Sequence, residues 1–303
     1  MTFSYREVTV SGNSVGVEGT AKLIQLIKEV MVDEMGWVQT DDQTNRAGTS
    51  HQLTLQSTGE AAALPTYYLI LTSGTGSSAA VGQDVINVRA ATAWNSTTHQ
   101  VPSSGVGNPT TSGTVTLSTD SNGSFTAWIS GDKDAVTIVS KPTAAATYDC
   151  FHYGNINQIT STAFDRTPIY LVGDSATSVD VVANSTTDTY SFLNSTTVLT
   201  SAEADFESLY INPLDSSQAP NNIFGSTEAY VALPLVAGVS DNIPVRKSIR
   251  GFSKNIWTTI ASGGAGSVVT IDPQDELLSS DGRVYKVFFD TINSARALVI
   301  RKS

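Results

Sequence analysis

Cys150 and His152 lie two positions apart in the segment YDCFHYG, and a thiol beside an imidazole can form a nucleophile with its base. Residues i and i+2 of a β-strand point to the same face, so the two side chains can touch. A nucleophile also needs an orienting group and an oxyanion hole, and the sequence identifies neither. We therefore interpret Cys150 as a small buried hydrophobe beside a hydrogen-bonded histidine, and we assign no catalytic residue here.

A second candidate nucleophile is Ser175, which ends the tripeptide GDS after the β-prone run IYLV. These three residues resemble the GDSL-type hydrolases, which place their serine after a strand in this way. The resemblance implies a histidine base near the C-terminus in an Asp-x-x-His arrangement. The histidines of this chain all precede Ser175: His51, His99 and His152. We therefore interpret GDS as a turn after a strand and predict no enzymatic activity.

Three further segments have partial ligand patterns. Residues 120–123 (DSNG) are similar to the start of a calcium loop, but the glycine comes too early and no bidentate glutamate follows. Asp272, Asp275 and Glu276 offer oxygen ligands for no more than a weak cation site. Residues 263–266 (GGAG) lack the Lys-Ser/Thr of a phosphate loop and precede a β-like run. We predict no metal site and no cofactor.

Composition excludes several classes of protein. The chain has 303 residues, of which 40% are hydrophobic and 15% charged, and this apolar content is enough for a folded core. Its net charge of -11 argues against direct nucleic-acid binding, which needs basic surface to displace counterions from phosphates. No apolar run approaches the roughly 20 residues that cross a bilayer, and the N-terminus has no export signal. We expect neither a membrane partner nor a small-molecule substrate.

The stretch from Thr20 to Trp37 predicts the helix around which the chain is organised. Its large apolar residues fall on one half of a helix and its charged residues on the other. Thr20 is the expected N-cap, and Gly36 is expected to end the helix in the left-handed conformation. The continuously apolar segment 67–72 (YYLILT) predicts a strand covered on both faces. We expect the helix to pack on a sheet that contains this strand.

Short alternating runs separated by polar turns predict a mainly β protein of the α+β kind. Antiparallel sheets or a sandwich carry the N-terminal helix, and a C-terminal β region follows. Asn122-Gly123, between TVTLST and FTAWIS, predicts a hairpin, and GDKD predicts the next one. We predict a domain of residues 1–214 and a β region of residues 223–303, although the two can also form one domain.

Two segments are candidates for contacts with other chains. Residues 95–113 form a long polar span, so we expect an exposed excursion that is ordered, if at all, by a neighbouring chain. Residues 1–243 carry a net charge of -15 and residues 244–303 a net charge of +4. The segment RKSIRGFSKNIW places cations between apolar side chains, which suits an interface with acidic surface; protection of a strand edge is the alternative. The predicted interface residues are Arg246, Lys247, Arg250, Lys254 and Trp257.

The order of motifs resembles a recurring virion structural protein of tailed bacteriophages. The motifs are an amphipathic helix closed by Gly-Trp, a YLIL strand, the hairpin WISGDKDAVTIV and an aromatic strand ending in YG. RGFSKNIWTT and the closing pair DGRVYKVFFDT and ALVIRK extend the resemblance over most of the chain. The resemblance implies a non-enzymatic, ring-forming component of the neck, tail or baseplate. It would contact copies of itself and other virion proteins, and would assemble in the bacterial cytoplasm.

Two other functions remain open at this stage. One is a capsid decoration protein, which should bind preformed capsids, or a receptor-binding module, which should bind cells or glycans. An enzyme acting on polysaccharide would need two carboxylates in one cleft. The spacing of Asp174 and Asp180 gives no reason to pair them. The virion component is the function we expect.

Overall fold

The structure is a computed structural model with one chain and no ligand. It describes residues 3–11, 18–46, 50–58, 67–74, 83–91, 93–102, 115–120, 123–144, 148–158, 169–173, 189–193, 198–200, 232–240, 247–260, 274, 276–278, 281–288 and 296–303.

The fold is mainly β with one N-terminal helix, which confirms the predicted fold class. The elements in chain order are β1 Ser4–Val10, α1 Glu18–Lys28 with a π-helical continuation Glu29–Glu34, β2 Val38–Arg46, β3 Ser50–Gln56, β4 Tyr68–Gly74, β5 Gln83–Ala91, β6 Val115–Asp120, β7 Phe125–Gly131, β8 Ala135–Pro142, β9 Asp149–Gln158, β10 Ile169–Gly173, β11 Thr189–Leu193, β12 Val198–Thr200, β13 Ala232–Ser240, β14 Lys247–Ile260, β15 Glu276–Leu278, β16 Val284–Phe288 and β17 Arg296–Arg301.

The strands form three antiparallel sheets. Sheet I has the order β2-β3-β4-β5-β6. Sheet II has the order β1-β7-β8-β9, and β10, β11 and β12 continue from β9. Sheet III contains β13, β14, β17, β16 and β15, in that order. A short pairing of residues 251–253 in β14 with residues 156–158 in β9 joins sheets II and III.

The helix matches its prediction except at its first turn. It begins at Glu18, so Thr20 lies inside the first turn, and the prediction that Thr20 is the N-cap is wrong. Gly36 has φ +83°, which confirms the left-handed conformation predicted at the helix end. The main-chain N–H of Trp37 then donates to the carbonyl of Met31 at 2.9 Å. This bond closes the helix and turns Trp37 into the core, where it is buried.

One apolar core unites the helix with the facing sides of sheets I and II. Leu23, Ile27 and Val30 of the helix are fully buried in it. Helix α1 contacts β3, β4 and β5, which confirms its predicted packing on the sheet that contains the YLIL strand. Alternate positions of the strands contribute most of the rest: Leu53, Leu55, Leu69, Leu71, Ile86, Val88, Ala90, Leu117, Phe125, Ala127, Ile129, Val136, Ile138, Phe151 and Tyr153. Burial of this apolar area supplies the main drive for folding.

The hairpin predicted at Asn122-Gly123 is wrong. Strand β6 pairs with β5 in sheet I, whereas β7 pairs with β1 and β8 in sheet II. The chain does turn here, because the N–H of Asp120 donates to the carbonyl of Ser124 at 3.0 Å. Long-range pairing partners decide where each strand continues, so the turn is a corner between two sheets.

Other strand predictions are confirmed. β7 and β8 form a hairpin around the GDKD turn, and β16 pairs with β17 in the closing hairpin. Strand β2 continues through the turn-forming residues DDQTNR and pairs with β3 as far as Arg46. Two register shifts interrupt that pairing and accommodate the polar sequence.

Sheet III lies against the outer face of sheet II. The rings of Trp128 and Phe288 meet edge to face with centroids 5.0 Å apart, and Ser130 Oγ donates to the carbonyl of Arg301 at 2.7 Å. The regions on either side of residue 214 therefore touch extensively. Residues 201–231, which include the predicted boundary, lie outside the described residues, so the division into domains stays a prediction. Within the described part of the chain, no helix is long and apolar enough to span a bilayer.

Candidate functional site

Asp132, in the GDKD turn between β7 and β8, accepts hydrogen bonds from residues of its own turn and from distant parts of the chain. Its carboxylate Oδ1 accepts the main-chain N–H groups of Asp134 at 2.8 Å and Ala135 at 3.1 Å. Its main-chain carbonyl accepts the indole N–H of Trp37 at 2.8 Å. The side-chain amide of Asn255 donates to Oδ2 at 2.9 Å. Asp132 thus connects the helix end, sheet II and sheet III.

Three more contacts surround this residue. Ser57, which directly follows β3, donates a hydrogen bond from its hydroxyl to the carbonyl of Lys133 at 2.8 Å. The rings of Trp37 and Tyr153 lie 5.9 Å apart. A Cβ atom at Gly154 would lie 2.4 Å from the Cα of Ala135, so only glycine allows the two strands to approach here. We call Trp37, Ser57, Asp132, Tyr153, Gly154 and Asn255 the Asp132 junction.

Asn255 marks a bend in β14. Its φ of +58° is uncommon outside glycine, although asparagine tolerates it better than most residues. Strand β14 pairs with β9 before this residue and with β17 after it. The hydrogen bond from the Asn255 side chain to Asp132 therefore holds the strand at the point where it passes from sheet II to sheet III.

The hydrogen bonds of the Asp132 junction hold parts of the fold together. Asp132 is buried, and its carboxylate and carbonyl oxygens all accept hydrogen bonds. Buried polar groups that are fully hydrogen-bonded stabilise one arrangement of the chain. Removing one partner destabilises it, because the other group is then buried without a hydrogen bond. The arrangement can lock three sheets and a helix together, but it offers no open position for a substrate.

Two histidine–carboxylate pairs lie on β2 and its neighbours, and the sequence did not reveal them. On the helix side, Oδ1 of Asp42 lies 2.9 Å from Nε2 of His51. Oδ2 of Asp42 accepts a hydrogen bond from the ammonium group of Lys28 at 2.7 Å. Gln25 of the helix lies 3.5 Å from the same ring nitrogen. This group ties the helix to sheet I by charge, beside the apolar core.

The second pair involves the adjacent residue, Asp41. Nδ1 of His99 lies 2.7 Å from Asp41 Oδ2, and the indole of Trp94 donates to the same oxygen at 3.1 Å. Burial raises the pKa of Asp41, but the hydrogen bonds from His99, Gln43 and Trp94 outweigh it, so its pKa falls below the usual value. Asp41 is thus a buried, charged anchor.

This anchor holds the start of the long polar segment. Asn95 donates its N–H to the carbonyl of Gln100 at 3.0 Å, and its side chain accepts the N–H of Thr97 at 2.9 Å. His99 has φ +55° in this turn. The expectation that a neighbouring chain orders residues 95–113 is therefore wrong for residues 95–102, which the chain orders itself. Residues 103–113 lie outside the described residues.

Cys150 and His152 both lie on β9 and are buried, with exposed fractions of 5% and 1%, which confirms their interpretation as core residues. Nδ1 of His152 lies 2.8 Å from the hydroxyl of Thr137 on β8. Burial lowers the pKa of His152 to about 3, so the ring is neutral at physiological pH. A buried neutral pair of this kind has no access to a substrate.

The one strongly perturbed carboxyl that the structure describes is Asp149, at the start of β9. The hydroxyl of Ser118 on β6 donates to it, so this bond links sheet II to sheet I. Burial raises the pKa of Asp149 to about 6, and the bonds from Ser118 offset part of that rise. A perturbed carboxyl can indicate catalysis, but structural pairs produce the same shift.

Of the candidate cation ligands, the structure describes Asp120 and Glu276, and each contacts another group of the chain. The carboxylate of Asp120 accepts the N–H of Ala144 at 3.2 Å, and Glu276 pairs with Lys302. Asp272 and Asp275 lie outside the described residues, as do Ser175 and residues 263–266. In the part of the chain that the structure describes, no three His, Cys, Asp or Glu residues are placed to hold a metal ion.

The predicted interface residues lie on or beside β14. The backbone of Lys247, Arg250, Lys254 and Trp257 belongs to this strand, and Arg246 lies outside the described residues. Their role as an interface stays a prediction.

Two surface features were not predicted from the sequence. An open groove of about 440 Å³ lies between β1 and α1, and its apolar lining includes Val8, Val10, Ala21 and Leu26. On sheet III, Leu278 of β15 is 75% exposed. Partial apolarity of β1 was the signal for the groove, whereas nothing in the tripeptide ELL distinguishes an exposed leucine from a buried one.

No protein-family model matches the chain, and a search of curated proteins finds no relative.

Proposed function

We propose that this chain is a non-enzymatic structural protein of a tailed-bacteriophage virion, a ring-forming component of the neck, tail or baseplate. It contacts copies of itself and other virion proteins, and assembles in the bacterial host cytoplasm. It binds no nucleic acid directly and acts on no small molecule.

The observation that carries the proposal is the Asp132 junction. The motifs behind the phage resemblance lie far apart in sequence, yet the junction takes one residue from each of four: Trp37, Asp132, Gly154 and Asn255. Motifs that meet in one set of contacts form a structural unit, and a chance collection of patterns has no reason to meet. We take the meeting of these four motifs as support for the proposal.

The chemistry of the described residues favours a structural role. The most reactive side-chain types, Cys150, His152 and Asp149, lie in strand β9 and face neighbouring strands. His51 and His99 each lie against a carboxylate of β2. These contacts join one element of the fold to another and make the fold rigid. A building block of a particle needs a rigid fold and does not need an open cleft.

The proposal is tested by locating the protein in intact particles. Gold-labelled antibodies against the purified chain are applied to phage particles from the source culture and viewed by electron microscopy. We expect label at the neck, tail or baseplate. Label spread over the capsid would instead support a decoration protein, and label on distal fibres a receptor-binding module. Particles that carry none of the protein would overturn the proposal.

A further inference from the structure

Sheet III overhangs the edge of sheet II. Among the strands that the structure describes, β1 ends sheet II and pairs with β7 alone. Along β16, Phe288 lies against Trp128 of β7, with ring centroids 5.0 Å apart. Two positions earlier, Lys286 donates to Glu7 of β1 at 2.7 Å. Side chains two positions apart share one face of a strand, so this face of β16 continues past β1 at Val284.

Leu278 lies over the open position beside β1. It is opposite Val284 in the antiparallel pairing of β15 with β16, and opposite residues of such a pair share a face. Leu278 therefore faces the layer of sheet II but lies beyond its last described strand. This position explains why 75% of Leu278 is exposed, whereas Phe288 on the same face is fully buried.

The groove between β1 and α1 borders the same open position from the helix side. Val8 and Val10 line the groove, and they lie on the face of β1 opposite to Glu7, because successive residues of a strand alternate. Ala21 and Leu26 of α1 line it as well. A cavity of roughly 150 Å³ admits a benzene-sized group, so a groove of about 440 Å³ has room for apolar side chains.

The charges around this position favour neither sign in a partner. On the side of sheet III, the exposed carboxylate of Glu276 already pairs with Lys302. The groove is lined by one ammonium group, from Lys22, and one carboxylate, from Glu29. The apolar side chains on the two sides of the open position are therefore what a partner would contact.

We propose that the open edge of β1 binds an uncharged, apolar β-strand of a partner protein, which extends sheet II by one strand. The main-chain N–H and C=O groups of a strand edge pair with an extended segment and not with a helix. Apolar surface on both faces of the position suits apolar side chains at successive residues of that segment. A segment as long as β1 has seven residues. This inference goes beyond the proposed function, because it concerns a binding site that the isolated chain carries.

A tethered strand tests the site. The segment Thr-Val-Ile-Val-Ile-Val-Thr is joined to the N-terminus by a flexible Gly-Ser linker, which gives it a high effective concentration. Hydrogen exchange is followed by mass spectrometry over residues 3–11. In the untethered chain, the β1 amides that do not face β7 should exchange rapidly. The tethered strand should protect these amides and raise the melting temperature.

Matched variants make the test specific. A tether with proline in place of both isoleucines cannot complete the ladder of hydrogen bonds and should leave the exchange unchanged. Leu278→Asp should abolish the protection, because it places a carboxylate against the apolar strand. Val38→Asp, at an exposed position of β2 in sheet I, should preserve it.

Three results would overturn the inference. The first is exchange of β1 that the tethered strand leaves unchanged. The second is slow exchange of every β1 amide in the dilute, untethered chain, which would show that the chain itself covers this edge. The third is protection of β1 that grows with the concentration of the untethered chain, which would identify a second copy as the occupant.

Discussion

The indole N–H of Trp37 donates a 2.8 Å hydrogen bond to the main-chain carbonyl of Asp132, 95 residues further along the chain. The bond joins the residue that follows the helix to the turn between two strands of sheet II. Both groups are buried, so each depends on the other for its hydrogen bond. This contact holds the helix end against the Asp132 junction.

Trp37→Phe should lower the free energy of unfolding by about 1–3 kcal/mol. Phenylalanine keeps an aromatic ring in the core but leaves the Asp132 carbonyl without its donor. Urea unfolding measures the loss. Val38→Ala, at the next and exposed position, is the matched control and should change stability by no more than about 0.5 kcal/mol. Equal stability of Trp37→Phe and the wild type would show that the bond contributes nothing.

Ile27→Asp should destabilise the protein by several kcal/mol, because it places an unpaired charge in the fully buried face of the helix. Thermal unfolding and soluble yield report the effect. Lys22→Asp adds the same side chain to the exposed face of the same helix and should behave nearly as the wild type does. Wild-type solubility and melting temperature in Ile27→Asp would contradict the packing of the helix on sheet I.

Asp149 should make stability depend on pH. Its folded-state pKa of about 6 lies above the ordinary value of 3.8, so the folded state holds the proton more tightly than the unfolded chain does. The stabilisation is complete below about pH 4 and is lost as pH rises through 6. A shift of about two units corresponds to about 3 kcal/mol.

Asp149→Asn removes this titration. The stability of the variant relative to the wild type should therefore rise between pH 4 and pH 7, as followed by urea unfolding at each pH. Asp33→Asn makes the same substitution at an exposed position of the helix, and its profile is measured alongside as the control. Parallel pH profiles for Asp149→Asn and the wild type would mean that Asp149 is not held protonated.

No hydrolysis should depend on Ser175, because the chain has no histidine downstream of it. The assay compares the turnover of generic ester substrates by the wild type and by Ser175→Ala. We expect the same background rate from both. Turnover by the wild type that disappears in Ser175→Ala would show that Ser175 is a nucleophile, as in the GDSL-type hydrolases.

Replacing Arg246, Lys247, Arg250 and Lys254 together by Gln should weaken assembly. Single exposed ion pairs contribute only about 0–1 kcal/mol, so several charges must be removed at once. The readout is incorporation into particles, or self-association, at low and moderate salt. If the fourfold variant assembles as the wild type does, these charges protect a strand edge and the interface lies elsewhere.

Local sequence patterns predicted much of the fold. Periodic apolar positions such as Leu23 and Ile27 located the helix, and Gly36 located its end. Alternation located most strands, including the closing hairpin. These features depend on residues close together in the chain, where side-chain periodicity reports directly on the buried face.

Long-range pairing could not be predicted in the same way. Asn122-Gly123 favours a local hairpin, yet β6 finds its partner in β5 and β7 finds its partners in β1 and β8. The pairing of Asp41 with His99 spans 58 positions and depends on a turn in which His99 has a positive φ. Such contacts follow from the assembled sheets, which no single segment specifies.

Cryo-electron microscopy of the intact particle tests the central claim most directly. We expect density at the neck, tail or baseplate that fits the helix and three sheets, repeated in a closed ring of identical copies. Density for the fold on the capsid lattice, on a distal fibre, or nowhere in the particle would contradict it.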